Sequence, residues 1–379
     1  MGYLRLFLCF PIVIYHLKHA VIAGPVSVLI LFMLAGFLTT RVVNEVYKGG
    51  LRDKMYFLLN RFLRLYPNYL ACLILSILTV KFFHPAELVR RYWGLQLPYD
   101  TIDWIKQFTI VGLSNFTGMP KGNSLIIPSW SLSTEICYYV FIGVVLGGRR
   151  KAVTWSFFIA LILTITGIVA GFDGSTPLFV GIYFSIQGPA VYFLFGAMCY
   201  HYQHYIDRYV TKSILLAVVI ANIVLYGTDV YYHSFSVQSL TEAIEIFGTF
   251  EHAQYVALFA MFTPLPIFAW LIISLNRLPF KTGSLDEACA DFSYPLFLIH
   301  CTAGYFIHCI FPTVDTFGDL FFAMSLFCSI LVAALLVVLV ERPMKKYRKL
   351  VRQKTLVPEN TVLPETILEP ETTIVPEKA

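Results

Sequence analysis

Charge is scarce in this chain. Lys, Arg, Asp and Glu together make up 13% of its 379 residues, about half the share of a soluble domain. That excludes an ordinary water-soluble globule. The net charge of +5 is small and dispersed, which excludes a nucleic-acid-binding surface as the main feature. The eight cysteines, mostly inside apolar runs, form no CxxC pair and no framework spacing. A disulfide scaffold and a Cys-rich zinc site are therefore not expected. A cleavable signal peptide is not expected either, because the first apolar run contains Pro11, His16, Lys18 and His19 and lacks a small-x-small exit.

Apolar residues are abundant: 58% of the chain is hydrophobic, 16% is aromatic, and the mean hydropathy is +0.70. A spanning helix needs about 20 apolar residues. Ten segments qualify, near 4–23, 25–42, 62–83, 128–147, 152–171, 178–199, 213–231, 255–275, 292–311 and 319–340. The expected fold is all-α, a polytopic membrane bundle of about ten transmembrane helices. Lys and Arg cluster in alternate loops: Arg41 to Arg61, Arg149 to Lys151, Arg208 and Lys212, Arg277 and Lys281, and the carboxyl-terminal "ERPMKKYRKLVRQK". The loops near 172–177, 232–254 and 312–318 contain neither residue. By the positive-inside rule both termini are expected to face the cytoplasm. The long 84–127 loop is aromatic, and its "DWIKQFTIVGL" has the character of a short interfacial helix. It suits an interface belt or a platform for an acceptor.

Residues 1–350 are expected to form one transmembrane domain. After Lys354 the composition changes to a Pro, Glu and Thr tract with prolines at 358, 364, 370 and 376. Such a tract cannot bury a core. Residues 351–379 are accordingly read as a disordered cytoplasmic tail.

Ionisable residues inside a membrane are costly and mark function by default. Arg5 and His16 lie eleven residues apart, which returns them to nearly the same helix face about 16 Å apart along the axis. His19 lies close to that stripe, so spacing does not rank it against His16. On spacing alone, Arg5 is read first as an interfacial anchor and His16 as a buried, hydrogen-bonded histidine. Arg61 and Arg64, one turn apart, could grip a phosphate with two guanidinium forks or merely anchor the helix. Glu135 follows the helix-opening Pro128 in "PSWSLSTE" and reaches a depth similar to that of His16. A carboxylate beside an imidazole would orient it as a general base. "HYQHYID", with His201, His204 and Asp207, has metal-like spacing, but at a helix end among tyrosines it is read as structural. No metal is expected.

In order along the chain, these segments resemble the acyltransferase-three family of integral membrane acyltransferases, the group that includes the O-antigen O-acetylases. Arg5 and His16 match its Arg-x10-His spacing. Arg61, Arg64 and Pro67 match its basic motif, and Pro128, Trp130, Ser131, Leu132 and Glu135 its Pro-x-Trp-Ser-Leu-x-x-Glu. Ser293, Tyr294, Leu296, Phe297, Leu298 and His300 match the late Ser-Tyr motif, and Glu341, Arg342 and Pro343 the terminal one. Three positions depart: Leu29 stands where an acidic residue is common in the second helix, Ala35 where Ser precedes Gly-Phe-Leu, and Asn60 where Lys or Arg commonly precedes the first arginine of the basic motif.

The resemblance implies an O-acyltransferase, with acetyl-CoA or another acyl-CoA as cytoplasmic donor and no permanently bound cofactor. The implied acceptor is a carbohydrate of the bacterial cell envelope, on a lipid carrier or a surface glycan, and the implied location is the inner membrane. His16 becomes the expected catalytic base with Glu135 and Arg5 supporting it. Arg61 and Arg64 are expected to hold the donor, and Trp130, Ser131, Tyr294, His300 and His19 to line the substrate site. A covalent acyl-histidine is the mechanistic variant. A proton-coupled transporter or flippase of a lipid-linked glycan is the alternative function. A transporter would often show internal repeats with paired broken helices, and no convincing repeat relates the two halves.

Overall fold

A computed structural model describes residues 1–18, 23–83, 95–114, 124–170, 183–206, 220, 264–277, 283–316 and 318–356. Among these residues the architecture is helical, with no β-strand. The helices are α1 (Gly2–Lys18), α2 (Ala23–Glu45), α3 (Leu51–Phe82), α4 (Thr101–Thr109), α5 (Ser129–Val140), α6 (Arg150–Ala170), α7 (Gln187–Ile206), α8 (Pro264–Arg277), α9 (Ser284–Ile310), α10 (Asp319–Leu336) and α11 (Arg342–Leu356). A π-helical turn, Phe141–Leu146, extends α5, and another, Val337–Glu341, joins α10 to α11. Five of these stretches are long and apolar enough to cross a membrane: Gly24–Glu45, Leu51–Phe82, Ser129–Leu146, Arg150–Gly167 and Asp319–Gln353. The expected span at 213–231 lies, Ile220 apart, outside the described residues, as do the tail from 357 onward, Asp207 and His19.

Large apolar side chains face outward where water would not tolerate them. Trp155 and Ile162 on α6 are 69% and 61% exposed, and Phe327 and Leu331 on α10 are 64% and 54% exposed. On bilayer-length helices such continuous apolar faces belong against lipid. The helix α2 is the most enclosed of the five candidate spans. It packs tightly on α7 through reciprocal glycines: a Cβ on Gly36 would collide with the Phe193 carbonyl, and one on Gly196 with the Met33 carbonyl. Small residues that allow backbones to approach are how membrane helices gain packing without a hydrophobic driving force. Gly36→Ala should therefore cost about 1–3 kcal/mol by overpacking, read as a lower thermal unfolding midpoint of the purified protein; an unchanged midpoint would contradict this packing.

The parallel pair α1 and α9 keeps a nearly constant register, with partners 283 or 284 positions apart. The Tyr3 amide donates to Asp286 Oδ1 at 3.0 Å, the Cys9 thiol donates to the Ser293 carbonyl at 3.5 Å, and the His16 and His300 rings lie 5.1 Å apart. Asp286 thereby satisfies an orphan amide at the start of α1. Burial pulls its carboxyl upward, but the hydrogen bond from Tyr3 and the adjoining amino group outweigh that and hold it below the usual carboxylate range.

The ends of the bundle that carry the basic loops gather on one face. Arg41 donates to Asn276 at 2.5 Å, Asn44 to the Gly148 carbonyl at 3.1 Å, and Asn60 to the Arg348 carbonyl at 3.1 Å. His201 Nε2 donates to the Gly148 carbonyl at 2.8 Å, so this histidine ties α7 to the end of α5. Lys345 joins α11 to α9 through Glu287 and Asp291 at 2.6 and 2.7 Å. At the opposite face Lys18 pairs with Asp319. Of the short "DWIKQFTIVGL" segment, Asp103 to Thr109 is helical, within α4, and Ile110 to Leu113 is not; the helix is capped by Asp100, which accepts from the Asp103 amide at 2.6 Å.

Candidate functional site

Five helices meet around a cavity of about 100 Å³. Arg5 and Cys9 reach it from α1, Arg64 and Leu65 from α3, Ser131, Glu135 and Tyr139 from α5, and Ser293, Tyr294 and Phe297 from α9, while α2 closes it with an apolar wall that includes Phe32 and Ala35. The spacing explains why these side chains arrive together. Ser131, Glu135 and Tyr139 follow at i, i+4 and i+8 on α5, and Cys9 lies one turn from Arg5 on α1.

The Arg5 and Arg64 side chains make no hydrogen bond or ion pair among the described residues, so two guanidinium groups and one carboxylate share a confined space. Glu135 accepts a hydrogen bond from the Tyr139 hydroxyl. Arg61 does not line this cavity. It is buried, with its guanidinium 5.2 Å from the Phe57 ring centroid and 4.9 Å from that of Tyr139. One turn of helix thus separates two different jobs: Arg64 presents charge to the cavity, and Arg61 clamps the tyrosine that holds Glu135.

His16 occupies the last turn of α1, two residues before Lys18 and near the opposite face from Arg5. The ring of His16 packs against Tyr15 at 4.8 Å and His300 at 5.1 Å. It is not among the residues that line the cavity. The two regions adjoin through Phe297, which lines the cavity and lies 6.4 Å from the His300 ring.

His300 is fully buried, and its Nδ1 lies 3.3 Å from the Leu296 carbonyl. A carbonyl only accepts, so Nδ1 carries the proton and Nε2 presents a lone pair. That Nε2 has no hydrogen-bond partner among the described residues. Tyr294 lines the cavity and donates to the Leu65 carbonyl at 3.0 Å. Ser131 donates to the Pro128 carbonyl at 2.7 Å. Trp130 is buried edge-on against Tyr183 and Phe184, at 4.8 and 4.9 Å, and acts as packing for the start of α5.

Three features were not anticipated from the sequence. Tyr139 binds Glu135, a partnership that the i, i+4 spacing in "EICYY" would have allowed. The buried Glu341 accepts from Asn68 at 2.6 Å and pairs with Arg348 at 2.7 Å, tying the end of α10 to α3 and α11. Ligand atoms of His16, His300 and Cys301 lie within 4.8 Å of one another, although no metal cluster was expected.

Searches of curated proteins and of solved structures gave no match. The acyltransferase-3 model, described as an acyltransferase domain, matches residues 1–340. With apolar spans around a cavity that collects residues from distant motifs, the chain belongs to the acyltransferase-3 family of membrane acyltransferases.

Proposed function

We propose that this protein is an O-acyltransferase that moves an acyl group, acetyl in the simplest case, from cytoplasmic acyl-CoA to a carbohydrate hydroxyl. The observation that supports this most directly is the convergence of Arg5, Arg64, Glu135, Ser293 and Tyr294 on one cavity. Two guanidinium groups without fixed partners suit an anionic or polarised ligand. The volume suits the thioester tip of a donor, not the whole of CoA. With the basic face taken as cytoplasmic, the donor enters from the side of Arg5 and Arg64, and both termini face the cytoplasm.

The acceptor hydroxyl meets His16 from the other side, at the end marked by the Lys18 to Asp319 pair. A neutral imidazole takes the hydroxyl proton as the oxygen attacks the thioester carbonyl. The carbon–sulfur bond breaks, and the leaving thiolate takes up that proton. Ester and free CoA result. Phe297 and His300 stand between the two approaches, so chemistry requires Phe297 to yield. Glu135, held by Tyr139 and close to Arg64, serves the donor side in this reading rather than orienting His16. A cell-envelope glycan of the O-antigen or lipopolysaccharide class, on a lipid carrier or at the surface, is the acceptor this reading favours, and a bacterial inner membrane its setting.

The test is transfer of radiolabelled acetyl from CoA to a glycan acceptor by purified protein in a lipid nanodisc. Absence of transfer together with movement of glycan across vesicles would favour the transporter instead. Arg64→Met should raise the KM for acyl-CoA about 10- to 100-fold, the loss of one charge-assisted hydrogen bond, with little change in the acceptor KM. Equal losses for both substrates would contradict a donor-side role.

A further inference from the structure

We propose that His16, His300 and Cys301 form a zinc-binding site where the last described turn of α1 meets the interior of α9. Each residue offers one ligand atom, and all three atoms lie within 4.8 Å of one another. Two imidazoles and a thiolate are a ligand set that favours zinc among the divalent ions. The second, independent sign is His300 itself. It is fully buried, its Nδ1 proton is committed to the Leu296 carbonyl, and its Nε2 lone pair meets no donor among the described residues. A carbonyl that fixes the tautomer while the other nitrogen stays bare is the outer-shell arrangement usual for a metal-ligating histidine.

The sequence separates His16 from His300 by most of the chain. The register of α1 on α9 joins them, since Cys9 on Ser293 lies one heptad below. Zinc bond lengths near 2.0 Å to nitrogen and 2.3 Å to sulfur put tetrahedral ligand atoms about 3.3–3.6 Å apart. From the 4.8 Å limit the atoms close by up to about 1.5 Å, through side-chain rotation of the partly exposed His16 and adjustment of His300 and Cys301. Three protein ligands leave a fourth position for water. Cys301 gives up its thiol proton on binding, so occupancy releases a proton and weakens in acid.

Occupancy takes the lone pair that the acyl-transfer reading needs on His16, so zinc would inhibit that reaction. This consequence rests on the proposed function; the binding does not. The wild-type protein in detergent is titrated with Co²⁺ alone and followed by absorbance. A thiolate-to-cobalt charge-transfer band and strong visible bands of a four-coordinate ion are expected, saturating at about one ion per chain and bleached by Zn²⁺. Cys301→Ser should lose the charge-transfer band, and His300→Ala should weaken affinity by roughly tenfold or more. Cys328→Ser, on α10 outside the cluster, should keep both, and elution as a single species identifies variants that remain folded. No saturable band in the wild type, or an unchanged band in folded Cys301→Ser, overturns the site. Cobalt bands in a protein that transfers no acetyl even after its metal is stripped by chelator would leave the site standing and remove the function; transfer without cobalt bands would do the reverse.

Discussion

Replacing His16 with alanine should remove acetyl transfer while leaving the protein folded. Loss of a positioned general base typically costs about 10²–10⁴ in rate, and the side chain is only partly buried, so the cavity left behind is small. The expected result is unchanged elution and unfolding midpoint, unchanged acyl-CoA binding, and turnover lower by that factor. His16→Gln should be equally inactive, since it keeps a polar group but cannot take a proton. If His16→Ala retains activity and His19→Ala loses it, the base is the neighbouring histidine, and the site moves by one turn. If both remain active, base catalysis by this helix is wrong.

The largest effect on stability is expected at Glu341. Its carboxylate is 4% exposed and carries two bonds, from Asn68 at 2.6 Å and from Arg348 at 2.7 Å. Glu341→Ala leaves a guanidinium and an amide without their acceptor, and breaking a buried ion pair from one side costs about 3–5 kcal/mol. Thermal unfolding in detergent should show it as a clear fall in midpoint, whereas Glu341→Gln, which can still accept from Asn68, should fall less. Removing the stranded charge as well, in Glu341→Ala with Arg348→Met, should recover part of the loss, as coupled partners do in a double-mutant cycle. Asn68 lies one turn beyond Arg64 on α3, so the single variant should also raise the donor KM. A Glu341→Ala protein with the wild-type midpoint would show that the network is not what fixes α11 on α3.

Much of the helical pattern was legible because hydropathy depends on local composition. Segments near 128–147 and 152–171 reappear as Ser129–Leu146 and Arg150–Ala170 almost unchanged. Ends set by contacts were less legible. The helix α3 begins at Leu51, not near residue 62, because its charged first turns rest on α11 through Asn60. The helix after residue 319 runs on through Glu341 to Leu356 because Lys345 and Arg348 find partners on α9 and at Glu341.

The candidate site divides in the same way. Residue types and spacing, together with the resemblance they carry, named Arg5, His16, Arg61, Arg64, Glu135, Tyr294 and His300, since a charge or imidazole in an apolar run is visible without coordinates. Which of them meet was decided only by packing. Lateral neighbours in a bundle depend on helix rotation and register, and neither is written in a single segment. Hence Arg64 faces Glu135 while Arg61 turns to Tyr139, and His16 finds His300 on α9 where a carboxylate from α5 had been expected.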